Sequence, residues 1–230
     1  MLSQASWKDL DNWEALGNPG WNWNALAPYF RKSETYHQPS PETAKKFQTE
    51  WVDPAMRGTN GPIQNSFCES GASFVSEMWP ETAKNAGYPL AADPRNGKSI
   101  AGFNQVTVVD PVTVTRSYSA NGYLKGSKPN LHVYTYATAT KVNFSKDDPV
   151  PKAVSVEYEK DGKIHTLAAA KEVILSAGSV KSPQLLEVSG VGNRKLLEGL
   201  GIDVVAENDG VGENLQDHVM VLPCYVCISR

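Results

Sequence analysis

The spacing of apolar and polar positions along this chain predicts two kinds of element, helices first and strands later. Leu10, Trp13 and Leu16 fall near one face of a helix over WKDLDNWEAL, which Ser6 and Asp9 open as a capping box and Gly17 closes. Asn18-Pro19-Gly20 is a turn. The stretch NALAPYFRKSE predicts a second helix capped by Asn22 or Asn24, with Pro28 near enough to its first turn to be tolerated. Residues 38–70, rich in Pro, Gly, Asn and Ser, read as surface loop. Phe74, Val75, Met78, Trp79, Ala83 and Ala86 then keep helical spacing up to Gly87, a stripe that predicts a core-facing side.

The period then shortens. Phe103–Val109 is a strand candidate, and Leu131–Tyr136 and Ala139–Phe144 are β-rich runs of Thr, Val and Tyr. Ala153–Glu159 alternates, with Val154, Val156 and Tyr158 on one face; Asp161-Gly162 closes a tight hairpin and Ile164–Ala168 returns. These runs predict a meander. Within residues 172–176, Val173, Ile174 and Leu175 are aliphatic on successive positions, which fits a strand covered on both faces, inside a parallel or doubly covered sheet. After it, Ala177-Gly178-Ser179 turns the chain, Ser182 caps, Pro183 opens a short helix through Leu185, Leu186 and Val188, and Gly190 stops it. Ligands of open α/β sheets bind beyond the carboxyl ends of the strands, so residues 177–182 are predicted to edge a cofactor.

Composition narrows the chemistry. Apolar residues make up 40%, charged residues 20%, and the net charge is -3, a globular balance that argues against a nucleic-acid scaffold. No apolar run approaches the ~20 residues that span a bilayer. No leader is visible at the N-terminus, and the compartment stays open. Four of the six tryptophans (Trp7, Trp13, Trp21, Trp23) lie near the start and are read as packing residues rather than carbohydrate platforms. Cys224 and Cys227 form a lone C-x-x-C in a strand-like run, where they point to opposite faces and read as buried thiols. His37, His132, His165 and His218 lack metal spacing, and His132 and His165 read as structural residues on strands. The sequon at Asn143 matters only in a secreted protein. No serine stands in G-x-S-x-G, which sets aside an α/β-hydrolase nucleophile.

The string Gly178, Ser179, Ser182, Pro183, Leu185, Leu186, Ser189, Gly190, Val191, Gly192 resembles the second signature of the glucose-methanol-choline (GMC) oxidoreductases, FAD-dependent alcohol oxidases and dehydrogenases. WEALGNPGWNWNALAPYFRKSE (13–34) is similar to the family's helical segment near the flavin lid, TRSYSANGYL (115–124) to its Arg-Ser-Ser-Ala tract, LHVYTYATATKVNF (131–144) to its adenine-side strand pair, and GVGENLQDH (210–218) to a further hallmark. The resemblance covers essentially the whole chain. It implies a mixed α/β (α+β) fold: part of an FAD domain of the two-dinucleotide-binding type, with part of an antiparallel-sheet substrate domain.

It also implies an organisation: residues 1–60 as lid and attachment segment, 61–130 as partial substrate domain, 131–215 as partial FAD domain, and 216–230 as the start of a further substrate-domain strand. Ala139 matches the position that meets adenine through its backbone, where relatives usually carry valine. Gly178 and Ser179 are expected on the flavin side of the cofactor, and Asp217 and His218 at the domain junction, followed by Val219 where relatives usually carry proline. The FAD fingerprint G-x-G-x-x-G is absent, since GVGNRK at 190 and GVGENL at 210 both lack the third glycine. The family's catalytic pair, a histidine base with a second His or Asn, matches no position here. The chain therefore reads as the middle of a longer protein, roughly two-fifths of a family chain, from a truncated gene model or an alternative start.

The implied reaction is oxidation of a small-molecule alcohol with hydride transfer to flavin N5. A non-catalytic or unstable fragment, an interaction module, or an FAD-containing hydroxynitrile lyase of the same family stay open as alternatives. The particular alcohol, the electron acceptor and the oligomeric state are not readable.

Overall fold

A computed structural model of the 230-residue chain describes residues 5–67, 74–88, 93–98, 102–126, 128–145 and 148–217. It divides into two compact units, residues 1–131 and 132–230. The first is helical with short strands; the second is built on a meander.

In the first unit, α1 (Trp7–Ala15) opens on the expected capping box, in which Ser6 and Asp9 satisfy each other's backbone N–H groups. Helix α2 (Trp23–Lys32) starts from Asn22, whose side chain accepts the Ala25 N–H. Pro28 lies inside α2 rather than in its first turn. Strand β1 (Glu34–Tyr36) pairs in parallel with β2 (Ile63–Asn65), and between them lie α3 (Pro41–Phe47) and a helical turn at Pro54–Met56. The expected loop over 38–70 is thus largely ordered structure. Its own residues carried the signal: Ser40 caps α3 by accepting the Thr43 N–H, and Pro41 occupies the first helical position.

Helix α4 (Phe74–Asn85) forms as expected, but its stripe is not buried: Phe74, Val75, Met78 and Trp79 are all exposed, and the buried residues are Pro80 and Ala83. Ala83 packs where the chain at Gly102 comes so close that a Cβ there would fall 2.2 Å from the Ala83 Cβ, a space that a larger side chain could not share. Of the four tryptophans read as packing residues, Trp7, Trp13 and Trp21 stay half-exposed, with Trp13 and Trp21 stacked at 5.6 Å, while Trp23 is partly buried with its ring 6.3 Å from Phe30. The strand expected over 103–109 reduces to an isolated bridge, Ser66 with Thr107, and a short pair of β3 (Val109–Asp110) with β4 (Thr115–Arg116).

The apolar core of this unit is small: Phe47, Phe67 and Val106, with Tyr36, Trp51 and Val52 against them. Beside it lie four buried charges. Arg57 grips Asp93 through Nη2 at 2.7 Å and Nε at 3.0 Å, and Arg95 grips Glu34 at 2.8 and 3.2 Å. Glu34 also accepts from the Gly58 N–H and Asn65 Nδ2, so both carboxylates are saturated with donors. Burial lowers the Arg95 pKa below its ordinary value, against the pull of Glu34.

In the second unit, β5 (Thr138–Phe144), β6 (Ala153–Lys160) and β7 (Lys163–Ala168) form the expected antiparallel meander in the order β5-β6-β7. Asp161 and Gly162 both take positive φ, 53° and 70°, as the tight hairpin turn requires. The Leu131–Tyr136 run is not a strand: Tyr136 takes φ 55° and is 95% exposed, which breaks extension ahead of β5. His132 accordingly stands outside any strand, whereas His165 is on β7. Helix α5 (Gly178–Val188) packs on β5. It is followed by β8 (Val191–Gly192), α6 (Arg194–Gly199) and β9 (Ala206–Glu207), with β8 and β9 paired in parallel.

Two expectations around α5 change. Residues 172–176 pair with no strand among the described residues, and Ile174 is 76% exposed. A segment aliphatic on both sides is buried only within a sheet whose two faces are both covered by other elements. Helix α5 also begins four residues earlier than Ser182 and carries Pro183 internally. Ser182 is turned back instead, accepting the Ala177 N–H at 3.0 Å. Pro183, like Pro28 in α2, is thus the sixth residue of its helix and removes one intrahelical bond.

Candidate functional site

The signature string builds one corner of the second unit. Gly178 starts α5 with φ 90°, a conformation that costs glycine little, and the space where a Cβ would lie is empty to 4 Å. Main chain is therefore bare at this turn. Gly190 has a different reason: with φ 91°, a Cβ there would fall 2.5 Å from the Asp203 carbonyl oxygen. Its own carbonyl accepts the N–H groups of Val205 and Ala206, so the end of α5 is stitched to the approach of β9.

Between α5 and the segment 210–215 lies a groove of about 600 Å³. Ser179, Ser182, Pro183 and Leu186 form one wall, Val211 and Leu215 the other, and Glu187 and Glu213 bring carboxylates to it. Ser179, expected at a cofactor, is thus at its rim. Asp217 is exposed, does not line the groove, and stands two residues past Leu215. His218, Val219, Cys224 and Cys227 lie outside the described residues. Among the described residues no group of His, Cys, Asp and Glu has the arrangement of a metal site, and no helix is long and apolar enough to cross a membrane.

Ala139 is exposed on β5, and the register of that strand decides where its backbone points. Opposite residues of an antiparallel pair alternate between exchanging hydrogen bonds and facing away from each other. Val142 stands opposite Val156, yet its N–H donates at 2.9 Å to Ser189 Oγ, outside the sheet. Val142 therefore faces the free edge of β5, and Lys141, opposite Glu157, faces β6. In an unbroken strand Ala139 would face β6 too. The register shifts between Ala139 and Lys141, however, and Thr140 is inserted as a bulge, which puts Ala139 opposite Tyr158. The pair Ala139 and Tyr158 is the next outward-facing one. The N–H and C=O of Ala139 thus point to an edge that no strand covers among the described residues.

Around that position the surface is aromatic. The Tyr158 ring stacks on His165 at 5.2 Å and 20°, and Tyr134 flanks it at 5.9 Å. Thr140 Oγ1, at the bulge, is buried and has no hydrogen-bond partner among the described residues. The sequon residue Asn143 is committed inside the meander, where Nδ2 donates to Ser155 Oγ and Glu157 Oε1.

The arrangement thus joins an outward donor–acceptor pair on β5 to a bare glycine turn on α5. Sequence reasoning missed two parts of it, the bulge and the role of Ser189. Ser189 was already visible as a fixed letter of the signature; the bulge leaves no residue-type mark, because Thr140 is an ordinary strand residue.

A family profile described as GMC oxidoreductase matches residues 1–220. The chain is 39% identical over 213 residues to the dehydrogenase xptC of Emericella nidulans, covering 91% of this chain and 33% of that protein. It is 36% identical over 223 residues to an oxygen-dependent choline dehydrogenase of Pectobacterium carotovorum, covering 95% and 36%. An FAD-dependent oxidoreductase from Chaetomium thermophilum superposes with a TM-score of 0.84 at 37% identity, over 93% of this chain and 36% of that one. A fungal aryl-alcohol oxidase gives 0.77 at 26%, over 94% and 36%. The chain thus spans about a third of the length of the relatives it matches. With the profile running through both units and the signature string intact at α5, the chain belongs to the GMC oxidoreductase family.

Proposed function

We propose that this chain forms the adenine-side and lid portions of an FAD-dependent oxidoreductase acting on the CH–OH group of a small-molecule alcohol. The observation that carries the reading is the outward backbone of Ala139, a donor–acceptor pair on an open strand edge, at the position that resembles the family's adenine contact. Adenine presents a complementary acceptor and donor along one edge, so a backbone pair suffices and the side chain is free to be alanine. The bare turn at Gly178 fits the same group, since it leaves space for a ligand to approach main chain closely. Ser179 extends that turn to the groove. Asp217 and His218 are assigned to the junction with the substrate domain.

In this reading residues 1–60 are the lid and attachment segment, 61–130 part of the substrate domain and 131–215 part of the FAD domain; the segment 216–230, assigned to the start of the next part of the substrate domain, lies from 218 onward outside the described residues. When bound, FAD supplies the hydride acceptor. The chain's own residues bind and orient: Ala139 holds the adenine edge, and the turn at 178–179 limits where the dinucleotide can run. The acid–base pair that takes the hydroxyl proton is assigned to the part of the protein matching the remaining two thirds of the relatives.

The test is a titration of the isotopically labelled chain with ADP and, separately, with FMN, which has a flavin but no adenine. ADP is expected to shift the Ala139 amide resonance and FMN to leave it in place. Equal responses to both, or none to ADP, would refute the adenine assignment.

A further inference from the structure

Ser189 is the least exposed polar residue of the α5 corner, at 2%, and both hydrogen-bonding functions of its hydroxyl are used. It donates to the Leu185 carbonyl one turn back and accepts from the Val142 N–H. Its own N–H donates to the Leu186 carbonyl, and the next residue, Gly190, is pinned to Val205 and Ala206. The hydroxyl is therefore held in a fixed place by the end of α5, and it meets β5 three residues from Ala139. We infer that Ser189 is a positioning residue: it ties the open edge of β5 to the helix carrying Gly178 and Ser179, and so sets the adenine-facing backbone relative to the glycine turn.

Two consequences follow from the geometry. The outward N–H of Val142 is consumed by a side chain, so that donor of the β5 edge is taken, while the edge at Ala139 is covered by no strand among the described residues. A planar ring that needs a backbone donor is thus steered from Val142 toward Ala139. The other consequence concerns orientation. Because the Thr140 bulge lies between Val142 and Ala139, bulges bend and twist a strand, and Ala139 keeps a defined direction only while Val142 is anchored. The inference rests on the adenine reading of Ala139, and its test separates the two.

The experiment follows two amides of the full 230-residue chain, Val142 by hydrogen exchange and Ala139 by its shift on addition of ADP, in four proteins: unsubstituted, Ser189→Ala, Ser189→Cys and Ser189→Thr. Cysteine keeps the volume but is a weak acceptor, so it guards against simple loss of packing. The expected result is faster Val142 exchange in the Ala and Cys variants and an ADP dissociation constant raised about 2- to 12-fold, the worth of one hydrogen bond. Threonine, which keeps the hydroxyl, should restore the slow exchange and most of the affinity. Persistence of the Tyr158–His165 ring contact in each variant shows that the meander is intact. If ADP shifts Ala139 equally with and without the Ser189 hydroxyl, the positioning role is overturned while the adenine reading stands. If ADP leaves Ala139 unmoved in the unsubstituted chain, the adenine reading fails and this inference with it.

Discussion

Proline substitution along β5 separates an outward backbone from an inward one. Proline removes the N–H, which matters only where that N–H is bonded, and it is tolerated on strand edges. Ala139→Pro should therefore keep the meander: the N–H it deletes points away from β6, and φ at Ala139 is not among the positive values that proline cannot reach. Lys141→Pro should not, because Lys141 stands opposite Glu157 as an inward pair and would lose a ladder bond while its ring meets the neighbouring strand. The cost at Lys141 is about 3 kcal/mol, against about 1 kcal/mol or less at Ala139. With a urea slope of ~2 kcal/mol/M, those figures place the midpoint shifts near ~1.5 M and below ~0.5 M. For ligand binding the order reverses at equal folding: Ala139→Pro deletes the donor that adenine meets and should weaken ADP several-fold, about 2- to 12-fold. Urea unfolding and an ADP titration on the same samples read both quantities. If Ala139→Pro unfolds the meander as readily as Lys141→Pro, then Ala139 faces β6, and the bulge argument is wrong.

Other outcomes follow from particular residues. Arg95→Met strands the Glu34 carboxylate at 0% exposure and should cost the first unit about 3–5 kcal/mol; the double change with Glu34→Gln should recover most of it, as seen in denaturant midpoints. Gly190→Ala forces a Cβ onto the Asp203 carbonyl at a positive φ and should destabilise the second unit by more than ~2 kcal/mol in the same assay. Burial pushes the Tyr36 hydroxyl up to about 12 from its ordinary 10.0, so its contribution to stability is whole below pH 10 and lost as pH rises towards 12. Alkaline unfolding curves should accordingly be flatter for Tyr36→Phe than for the unsubstituted chain.

Local signals were legible where a residue type does one thing. Ser6 with Asp9, Asn22, Asp161-Gly162 and the glycines that stop helices all produce the expected element, since caps and turns depend on a few adjacent atoms. The cofactor corner was legible as a string, and the structure gives reasons for its letters: Gly178 for an open turn, Ser189 for the tie to β5, Gly190 for a close backbone crossing. What failed were statements about what lies on the far side of an element. The α4 stripe and residues 172–176 have the right spacing to be covered, but spacing specifies a face and not its neighbour. The buried pairs Glu34–Arg95 and Arg57–Asp93 were invisible because the partners are 61 and 36 residues apart, and an isolated charge in a polar stretch looks solvated.

Phe74, Met78 and Trp79 on α4 and Ile174 in the unpaired segment 172–176 are exposed, and these are the positions whose pattern predicted burial. An unpaired aliphatic segment and an exposed aromatic helix face each gain stability by packing against something apolar. In the reading proposed here that something is the remaining polypeptide of the oxidoreductase, which also closes the cofactor's other side. The chain by itself should then purify without flavin absorbance and bind a hydrophobic dye strongly. Supplying the rest of the protein on a second polypeptide should suppress dye binding and restore flavin together. A colourless complex with the dye displaced would separate coverage from cofactor binding, and yellow protein from the chain alone would show that these faces are not needed to hold FAD.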